Sequence, residues 1–344
     1  MSNNNSSLPY SPAKEKAGGM RGPYNRLLLV QKLRHLLTHI GSVRIKILLP
    51  ICVILAIILL AGRAASFMGW KHYNLLPARA QSRKGYTVLI NTWKRNDLLK
   101  QSVSHYAGCS SVDGINVVWS EIEPPSETLQ ADLRRIVRHK SQSSKKPDFR
   151  FNLNEVDNLN NRFRPIPDLK SDAVFSVDDD VIFPCSTLEF AFSVWQSASD
   201  SMVGFVPRMH WVKKNDAKHF TYGGWWSVWW MGSYSMVLSK AAFLHKKYLD
   251  MYTNQMPAAI REYVIRERNC EDIAMSFLVA NATGAPPIWV KGQIFEIGST
   301  GISSLKGHNE RRTRCLNDFV SLYGHMPLVA GSVKAVDAHH KMFW

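Results

Sequence analysis

The order of apolar and polar segments between residues 85 and 182 predicts strands that alternate with helices. Apolar runs predict strands at residues 86–90, 115–119, 150–153 and 173–177. Helical spacing of apolar residues predicts helices at residues 96–106 and 127–139. Because strands and helices of this length alternate along the chain, we expect an α/β fold with a mainly parallel, Rossmann-like sheet covered on both faces.

The pattern after residue 200 is less regular. Residues 235–238 predict one more strand, and apolar spacing predicts helices at residues 241–252 and 256–268. Residues 222–232, with the sequence YGGWWSVWWMG, contain four tryptophans beside paired glycines. We expect a flexible loop here, whose rings either pack inside the protein or stack on the apolar faces of a sugar.

An unbroken apolar stretch, residues 47–62, lies near the N-terminus between two basic residues. It is short compared with the roughly 20 residues of a typical membrane-spanning helix, but flanking cations can extend to the membrane surface. A cleaved signal peptide and a helix of a soluble core are the alternatives. We interpret residues 45–62 as an uncleaved transmembrane signal anchor helix, between a basic tail at 1–44 and a stem at 63–84.

Charge predicts how this anchor is oriented. Residues 1–46 contain eight Lys and Arg but one acid, so the positive-inside rule places the tail in the cytosol and the rest of the chain in a lumen. We expect a single-pass type II protein of the Golgi membrane. A net charge of +16 also suits nucleic acid, but the topology of the tail explains much of it. We therefore expect anionic ligands such as nucleotide diphosphates or acidic lipids, and no nucleic-acid partner.

The five cysteines agree with a lumenal domain. Cys52 lies in the predicted anchor, and the others show no C-x-x-C spacing, which argues against a zinc site. Those others are Cys109, Cys185, Cys270 and Cys315. One or two disulfides are expected in an oxidising compartment. The sequence N-A-T that begins at Asn281 is an N-glycosylation acceptor beyond the anchor, so Asn281 is a predicted glycosylation site.

Three adjacent aspartates, Asp178, Asp179 and Asp180, follow the apolar run at residues 173–177 and carry the strongest indication of chemistry. Adjacent carboxylates repel one another, so such a cluster at the end of a buried strand requires a cation. Oxygen ligands are those that Mg²⁺ and Mn²⁺ prefer, and phosphate oxygens commonly complete the ligand shell. Ligands of parallel sheets bind beyond the carboxyl ends of the strands, where these aspartates fall. The alternative is a solvated acidic turn.

Two further charged clusters lie in the second half of the chain. Glu271 and Asp272 precede an apolar helical segment, where acids also occur as simple helix caps. Residues 307–315, GHNERRTRC, contain basic side chains that can bind a departing diphosphate. Glycosyl transfer from a nucleotide sugar requires an acid and a phosphate-binding group, so these clusters and the aspartates together favour that reaction.

Six collinear segments match the pattern of a known family. They include TWKRNDLL at 92–99, NRFRPIPDLKSDAVFSVDDDV at 161–181, NCEDIAMSFLVAN at 269–281 and ERRTRCLNDFVSLYG at 310–324. These segments resemble the exostosin-like domain of glycosyltransferase family 64. The resemblance covers residues 85–330 and leaves a C-terminal tail at 331–344.

The resemblance implies a GT-A fold and a retaining, Mn²⁺-dependent transfer from a nucleotide sugar. It implies that Asp180 ligates the metal, that Asp178 contacts the ribose and that Asp179 lies close to the donor sugar. Arg95 is expected to contact the nucleotide, and Arg162 is expected to hold the base or sugar side of the donor.

The resemblance also implies roles for the two later clusters. Asp272 is expected beside the reacting carbon, either as a covalent nucleophile or as a group that stabilises a cationic sugar. Arg312 is expected to brace the diphosphate. Because asparagine retains a capping oxygen, we expect Asp272→Asn to cost little stability.

A disulfide of the family maps onto Cys270 and Cys315. This pairing is implied by the resemblance and agrees with the lumenal topology predicted above. It leaves Cys109 and Cys185, which we expect to be buried thiols.

Three positions that bear on the nucleotide base depart from the animal members of the family. Ser120 stands where those members have asparagine after the second strand. Asp157 and Asn158 stand where those members have another asparagine. These changes weaken the argument for a uridine donor and are compatible with guanosine.

The single-domain, anchored layout most resembles the plant members of the family. This similarity implies mannose transfer from GDP-mannose to a glycosyl inositol phosphorylceramide sphingolipid. A UDP-GlcNAc or UDP-GalNAc transferase that acts on a polysaccharide or glycolipid is the alternative. A membrane-anchored sugar-binding protein without catalysis is another, but intact Asp178, Asp180, Asp272 and Arg312 argue against it.

Overall fold

The computed structural model describes residues 31–32, 34–35, 46–61, 85–141, 146–214, 216–298 and 307–338. The chain divides into two compact units, residues 1–78 with 342–344 and residues 79–341. The second unit contains all the predicted site residues.

The first unit contains helix α1, residues 46–61, whose apolar side chains are exposed. This helix falls within the segment predicted as a membrane anchor. Among the residues described, no helix combines the length and the hydropathy needed to cross a membrane. Most of the predicted tail and the whole predicted stem lie outside the described residues, so the anchor and its flanking segments stay predictions.

The second unit alternates strands and helices, as the sequence pattern predicts. Its strands are β1 (Tyr86–Thr92), β2 (Val112–Trp119), β3 (Asp148–Leu153), β4 (Ala173–Asp178), β5 (Val181–Ile182), β6 (Val203–Gly204), β7 (Pro207–Lys213), β8 (Asp216–Gly223), β9 (Met236–Val237), β10 (Ala241–His245), β11 (Ile288–Val290), β12 (Phe295–Glu296) and β13 (Lys334–Ala335). Its helices are α2 (Asn96–Tyr106), α3 (Glu127–Lys140), α4 (Cys185–Ser197), α5 (Trp225–Met231), α6 (Lys247–Asn254), α7 (Ala258–Glu267), α8 (Glu271–Thr283) and α9 (His308–Tyr323), with a 3₁₀ helix at Leu159–Phe163.

The central sheet has the strand order β13-β11-β6-β10-β4-β1-β2-β3. Strands β1 to β4 run parallel, and β10 runs antiparallel between β4 and β6. The predicted mixed α/β architecture with a mainly parallel, Rossmann-like sheet is therefore confirmed. The strand order reverses between β1 and β4, because β2 and β3 follow on one side of β1 and β4 lies on the other.

Two apolar cores cover the two faces of this sheet. Val88 and Ile90 of β1 pack with residues of α2, α3 and α4 on one face. Leu89 packs with residues of α6, α7, α8 and α9 on the other, since successive strand residues point to opposite faces. Burial on both faces explains why these strands read as continuous apolar runs.

The structure corrects the prediction of one helix at residues 241–252. Ala241–His245 form strand β10, and the helix that follows is Lys247–Asn254. Phe243 and Leu244 of β10 pack into opposite cores of the sheet. A short apolar run is compatible both with a strand that is buried on its two faces and with the buried face of a helix. Periodicity alone therefore does not distinguish a strand from a helix here.

The tryptophan-rich segment is also different from its prediction. Trp225–Met231 form helix α5, which ends at Gly232 in the left-handed conformation with φ of 67°. The expected flexible loop is therefore a short helix. A left-handed residue after the last turn is a common helix end and favours glycine, which explains the position of Gly232.

Cys109 and Cys185 form a disulfide, so the prediction of two buried thiols is wrong. Cys109 follows α2 and Cys185 begins α4, and both helices pack on the same face of the sheet. The sheet brings the two cysteines together across 76 residues, which their spacing in the chain does not reveal. A second disulfide joins Cys270 and Cys315, as the family resemblance implied.

Candidate active site

Asp178 ends β4 at the carboxyl edge of the central sheet, beside the end of β1. Its backbone pairs with Asn91, and the N–H of Asp179 donates to the Asn91 carbonyl at 3.1 Å. The chain then turns through Asp179 and Asp180 before β5 begins. Because the strand order reverses between β1 and β4, this edge is where an α/β sheet forms a ligand crevice.

Two arginines balance the negative charge of these aspartates. Arg95, between β1 and α2, pairs with Asp179 and, at 2.8 Å, with Asp180. Arg162, in the 3₁₀ helix, pairs with Asp178. Both arginines are those that the family resemblance places on the donor nucleotide.

The three aspartates differ in exposure. The Asp179 side chain is fully buried, whereas those of Asp178 and Asp180 are 24% and 21% exposed. Burial raises the pKa of Asp179 to about 6, against the opposing effects of Thr92 and Arg95. The Thr92 hydroxyl donates to Asp179 Oδ2 at 2.6 Å. Asp179 therefore supports the turn from inside, and the other two carboxylates remain accessible.

Asp180 has the chemistry and the position of a ligand for a divalent cation. Its carboxylate is a hard oxygen donor, the type that Mn²⁺ and Mg²⁺ prefer. The chain after β12 lies against it, because the Ile297 N–H donates to the Asp180 carbonyl at 2.8 Å. A Cβ at Gly298 would come within 3.1 Å of Asp180 Oδ2, so only glycine allows this close approach. The residues present fit a metal at this position.

The aspartate triplet does not itself form a multidentate metal cage. Within the described ranges, the metal-ligating side chains whose donor atoms converge are those of His105, Cys109 and Cys185. The two cysteines of that group are joined in a disulfide and are not thiolate ligands. The assignment of Asp180 as the single protein ligand of the metal therefore stays a prediction.

Asp272, in the first turn of α8, forms a buried ion pair with Arg312 of α9. Asp272 Oδ1 also accepts from the Ile273 N–H at 2.8 Å. The Arg312 guanidinium lies over the ring of Tyr222, 4.9 Å from its centre. The Nε of Arg312 is buried and has no hydrogen-bond partner in the part of the chain that the structure describes, so it is an unused donor.

The Cys270–Cys315 disulfide joins the start of α8 to α9, with Cα atoms 6.4 Å apart. Cys270 has a φ of 74°, in the left-handed region that a non-glycine residue rarely adopts. The side chain of Asn269 accepts from the Cys270 N–H at 2.8 Å and helps to hold this conformation. The disulfide and this turn bring Asp272 and Arg312 together.

The two adjacent acids at the start of α8 have opposite titration behaviour. Burial raises the pKa of Asp272, but Arg312 more than offsets this effect, so the pKa lies below its ordinary value. Burial and the neighbouring Asp272 raise the pKa of Glu271 to about 7. Asp272 is therefore ionised at neutral pH, while Glu271 changes its charge there.

Arg162 connects the aspartate triplet with the α8 acids. It pairs with Asp178, and its Nη1 donates to the Ser239 hydroxyl at 3.3 Å. Burial lowers its pKa, but Asp178, Glu271 and Asp272 more than offset this effect and raise it. This buried cation is therefore influenced by the charges of both groups of carboxylates.

The residues predicted to read the nucleotide base lie around the 3₁₀ helix. Ser120 Oγ accepts from Asn161 Nδ2 at 3.1 Å. Asn158 caps the helix by accepting from a backbone N–H at 3.0 Å, and Asp157 pairs with Arg268 at 2.7 Å. Their roles in base recognition stay predictions, as do the catalytic roles assigned above.

Three residues of the site were not predicted from the sequence. Thr92 ends β1 at the carboxyl edge, and a polar residue at that point is a signal that sequence reading can use. Tyr222 and Ser239 carry no such signal. They reach the site through the β7–β8 hairpin and the turn before β10.

Asn281, the predicted glycosylation site, lies near the end of α8 and is exposed. Its side chain contacts His325 Nε2 at 3.1 Å. Glycosylation at this position stays a prediction.

Comparisons with known proteins agree with this geometry. The family model described as Glycosyl transferase family 64 domain matches residues 86–341. Glycosylinositol phosphorylceramide mannosyl transferase 1 of Arabidopsis thaliana is 57% identical over 91% of this chain and 94% of its own length. Exostosin-like 2 of Mus musculus is 32% identical over 80% of this chain and 86% of its own.

Two further comparisons have narrower coverage. Glucosamine inositolphosphorylceramide transferase 1 of Oryza sativa subsp. indica is 33% identical over 67% of this chain, which spans 29% of that protein. The solved structure of the mannosyltransferase PcManGT from Pyrobaculum calidifontis is 13% identical, with a TM-score of 0.41 over 70% of this chain and 64% of that one. This structural likeness is too weak to support an inference.

Carboxylates and arginines at the carboxyl edge of a Rossmann-like sheet are the groups expected of an enzyme whose substrate carries a diphosphate. The chain belongs to glycosyltransferase family 64, and it is a glycosyltransferase.

Proposed function

We propose that this chain transfers mannose, with retention, from GDP-mannose to a glycosyl inositol phosphorylceramide. The observation that carries the proposal is the 57% identity, over 91% of this chain, to a relative named as a mannosyl transferase for that lipid. The Arg162–Asp178 ion pair and the influence of Glu271 and Asp272 on the pKa of Arg162 support the view that these charged residues act together.

The donor would bind in a GT-A arrangement, beyond the carboxyl ends of β1, β2 and β4. Ser120 follows β2, and Asp157 and Asn158 follow β3, so these residues would contact the base, while Asp178 would contact the ribose. Arg95 pairs with Asp180 at 2.8 Å and is partly exposed, so its guanidinium can exchange a carboxylate for a phosphate oxygen.

Asp180 would hold the divalent cation, which we propose to be Mn²⁺. When bound, Mn²⁺ supplies positive charge that stabilises the departing diphosphate. The unpartnered Nε of Arg312 would add a hydrogen bond to the same group. These contacts act on charge that develops as the bond to the sugar breaks, where electrostatic stabilisation is most effective.

Asp272 would stabilise the positively charged sugar rather than attack it. Both carboxylate oxygens already accept hydrogen bonds, from the Ile273 N–H and from Arg312. The low pKa that Arg312 imposes also makes this carboxylate a weak nucleophile. Its negative charge is nevertheless held permanently at the start of α8, where it can favour a cationic transition state.

We also propose that residues 45–62 anchor the protein in the Golgi membrane as a single-pass type II protein. The support is the apolar run at residues 47–62 and the eight Lys and Arg of residues 1–46. The transferase domain would then lie in the lumen, where its disulfides are stable. Tagging each end and testing its protection from protease in sealed Golgi vesicles checks this topology, and an N-terminal tag that is protected would contradict it.

A donor screen tests the proposed reaction. Purified full-length protein is incubated with Mn²⁺, glycosyl inositol phosphorylceramide and one donor at a time: GDP-mannose, UDP-GlcNAc or UDP-GalNAc. We expect mannosylated lipid and GDP with the first donor, and loss of this activity when the metal is chelated. NMR of the product should show the anomeric configuration of the donor.

The UDP-GlcNAc reaction is a second candidate because one relative, at 33% identity, is named a glucosamine inositolphosphorylceramide transferase. Glycosylated lipid with UDP-GlcNAc, and none with GDP-mannose, would replace the mannosyl assignment. If the protein hydrolyses a donor but forms no glycosylated lipid, the proposed acceptor would be wrong. The identity of the donor would still be given by the nucleotide sugar that is hydrolysed.

A further inference from the structure

Helix α5 exposes a face of tryptophans on the surface of the transferase domain. Trp226, Trp229 and Trp230 are 77%, 62% and 80% exposed, and Met231 beside them is 52% exposed. The opposite side of the helix is anchored by Val228, which is buried, and Trp225, itself 44% exposed, contacts Trp289 with ring centres 5.6 Å apart. Three exposed indoles on one short, fixed helix indicate an interaction surface.

The geometry of the rings does not suit stacking on a sugar. The Trp226 and Trp229 rings lie at 85° to each other, and the Trp229 and Trp230 rings at 45°. A sugar-stacking platform presents a flat ring face, whereas these rings project outward at different angles. A projecting cluster of indoles is instead typical of protein surfaces that enter the interface of a lipid bilayer, where indole rings are favoured.

The structure connects this helix with both the active site and a basic hairpin. Tyr222, whose ring contacts Arg312, is separated from α5 by two glycines. The β7–β8 hairpin on which α5 packs, residues 207–223, contains four Lys and Arg but one acid. Lys213, Lys214 and Lys218 near its tip are exposed. Basic side chains near exposed aromatic residues suit an anionic lipid surface.

We propose that Trp226, Trp229 and Trp230 form a bilayer-binding face through which the transferase domain lies on an anionic lipid surface. The indoles enter the headgroup region, and the lysines of the hairpin contact lipid phosphates. The proposal deepens the proposed function, because an acceptor embedded in that bilayer would then reach the crevice beside Tyr222 without leaving the membrane. The membrane contact itself does not depend on the donor or on the sugar transferred.

Quenching of tryptophan fluorescence by brominated lipid tests the contact. Full-length protein is reconstituted into vesicles of equimolar phosphatidylcholine and phosphatidylinositol, with either plain or acyl-brominated phosphatidylcholine. We expect strong quenching of the wild type and loss of most of it in the Trp226→Ala/Trp230→Ala variant. Trp93→Ala is the matched control, because Trp93 is 48% exposed between β1 and α2, and this variant should be quenched like the wild type.

The quenching experiment has a decisive contrary result. Equal quenching of the double variant and the wild type would overturn the proposal. Because both side chains project into solvent, the substitutions should leave the melting temperature nearly unchanged. If the double variant does not fold, Trp230→Ala alone removes the most exposed ring and carries the same expectation on a smaller scale.

A kinetic comparison separates a lipid surface from a sugar ligand. The double variant should lose activity on acceptor lipid in vesicles but retain wild-type activity on the water-soluble, delipidated headgroup. Equal loss on both acceptors would mean that the tryptophans bind the sugar, and would overturn the proposal. If no donor supports transfer, the proposed function fails, whereas the quenching result still decides the membrane contact.

Discussion

The site contains two regions that each hold an aspartate–arginine pair and a cysteine of a disulfide close by in the sequence, yet the two regions differ in accessibility. In the region after β4, the Arg95 and Asp180 side chains are 35% and 21% exposed. In the region between α8 and α9, the Arg312 and Asp272 side chains are 6% and 8% exposed. In the sequence, Cys185 of one disulfide comes five residues after Asp180, and Cys270 of the other comes two residues before Asp272.

Exposure determines what each ion pair can do. A partly exposed pair is weakly held in water, so its partners can separate to bind a metal and a phosphate. A buried pair is expensive to break, because the remaining charge has no solvent to stabilise it. The first region therefore suits ligand exchange, and the second suits a fixed charge next to the reacting sugar.

Asp272→Asn is expected to have the largest effect, because it breaks the buried pair. Removing one partner of such a pair costs about 3–5 kcal/mol of folding free energy. The sequence alone predicts only a small loss of stability, because it presents Asp272 as a helix cap. The ion pair with Arg312 raises the expected loss. Transfer should also fall by about a hundredfold or more through loss of the catalytic charge. Urea unfolding and the transfer assay measure the two effects.

Asp200→Asn is the matched control for this prediction. Asp200 pairs with Lys247 at the surface, where an ion pair contributes little to stability, so Asp200→Asn should leave the free energy of unfolding nearly unchanged. Because the pKa of Asp272 is lowered, the stability that its ionised form contributes is lost as pH falls below the ordinary range of aspartate. A stability difference between Asp272→Asn and wild type that persists at strongly acidic pH would contradict the role of the pair.

Replacing each disulfide by a pair of serines compares the two regions directly. The bonds close loops of 76 and 45 residues, for which the chain-entropy model gives about 4 kcal/mol of stability each. We expect similar losses in unfolding free energy. Only the loss of Cys270–Cys315 should also lower transfer at a temperature where both variants are folded, because that bond positions Asp272. Equal losses of activity would show that the bond has no positioning role.

Asp180→Asn tests the accessible region. It removes the expected metal ligand from a solvent-facing position, so the melting temperature should change little while turnover falls by about a hundredfold. Donor hydrolysis measured across a range of Mn²⁺ concentrations checks this prediction. Asp132→Asn is the control. It removes a carboxylate of α3 that pairs with Lys100, and it should leave the activity unchanged. Wild-type activity of Asp180→Asn at limiting Mn²⁺ would reject the metal assignment.

Glu271→Gln should have the smallest effect, a gain in stability near neutral pH. The pKa of Glu271 is about 7 in the folded protein against an ordinary value of 4.5, so the free energy of unfolding falls as pH rises between these values. Glutamine removes the cost of the buried charge, and we expect its melting temperature to exceed that of the wild type above pH 7. A gain of the same size below pH 4.5 would show that the effect is not electrostatic.

Local sequence was sufficient to predict the strands and helices of the first half and the aspartates that end β4. A run of five or six apolar residues that ends in charged residues also predicts where the strand ends. The apolar residues are buried in the sheet, whereas the charged residues need contact with solvent or with a counter-ion. The same reasoning located Asp178 and Asp180 at the carboxyl edge before the sheet order was known. The roles of the site residues came from family resemblance rather than from pattern.

The contacts that distinguish the two regions required the assembled sheet. The apolar run at β10 is a strand because it lies between β4 and β6, and its own residues also fit a helix. Cys109 meets Cys185, and Asp272 meets Arg312, across 76 and 40 residues. Burial and pairing of charges depend on which distant segments pack together, and a linear pattern of hydrophobicity carries no information about those neighbours.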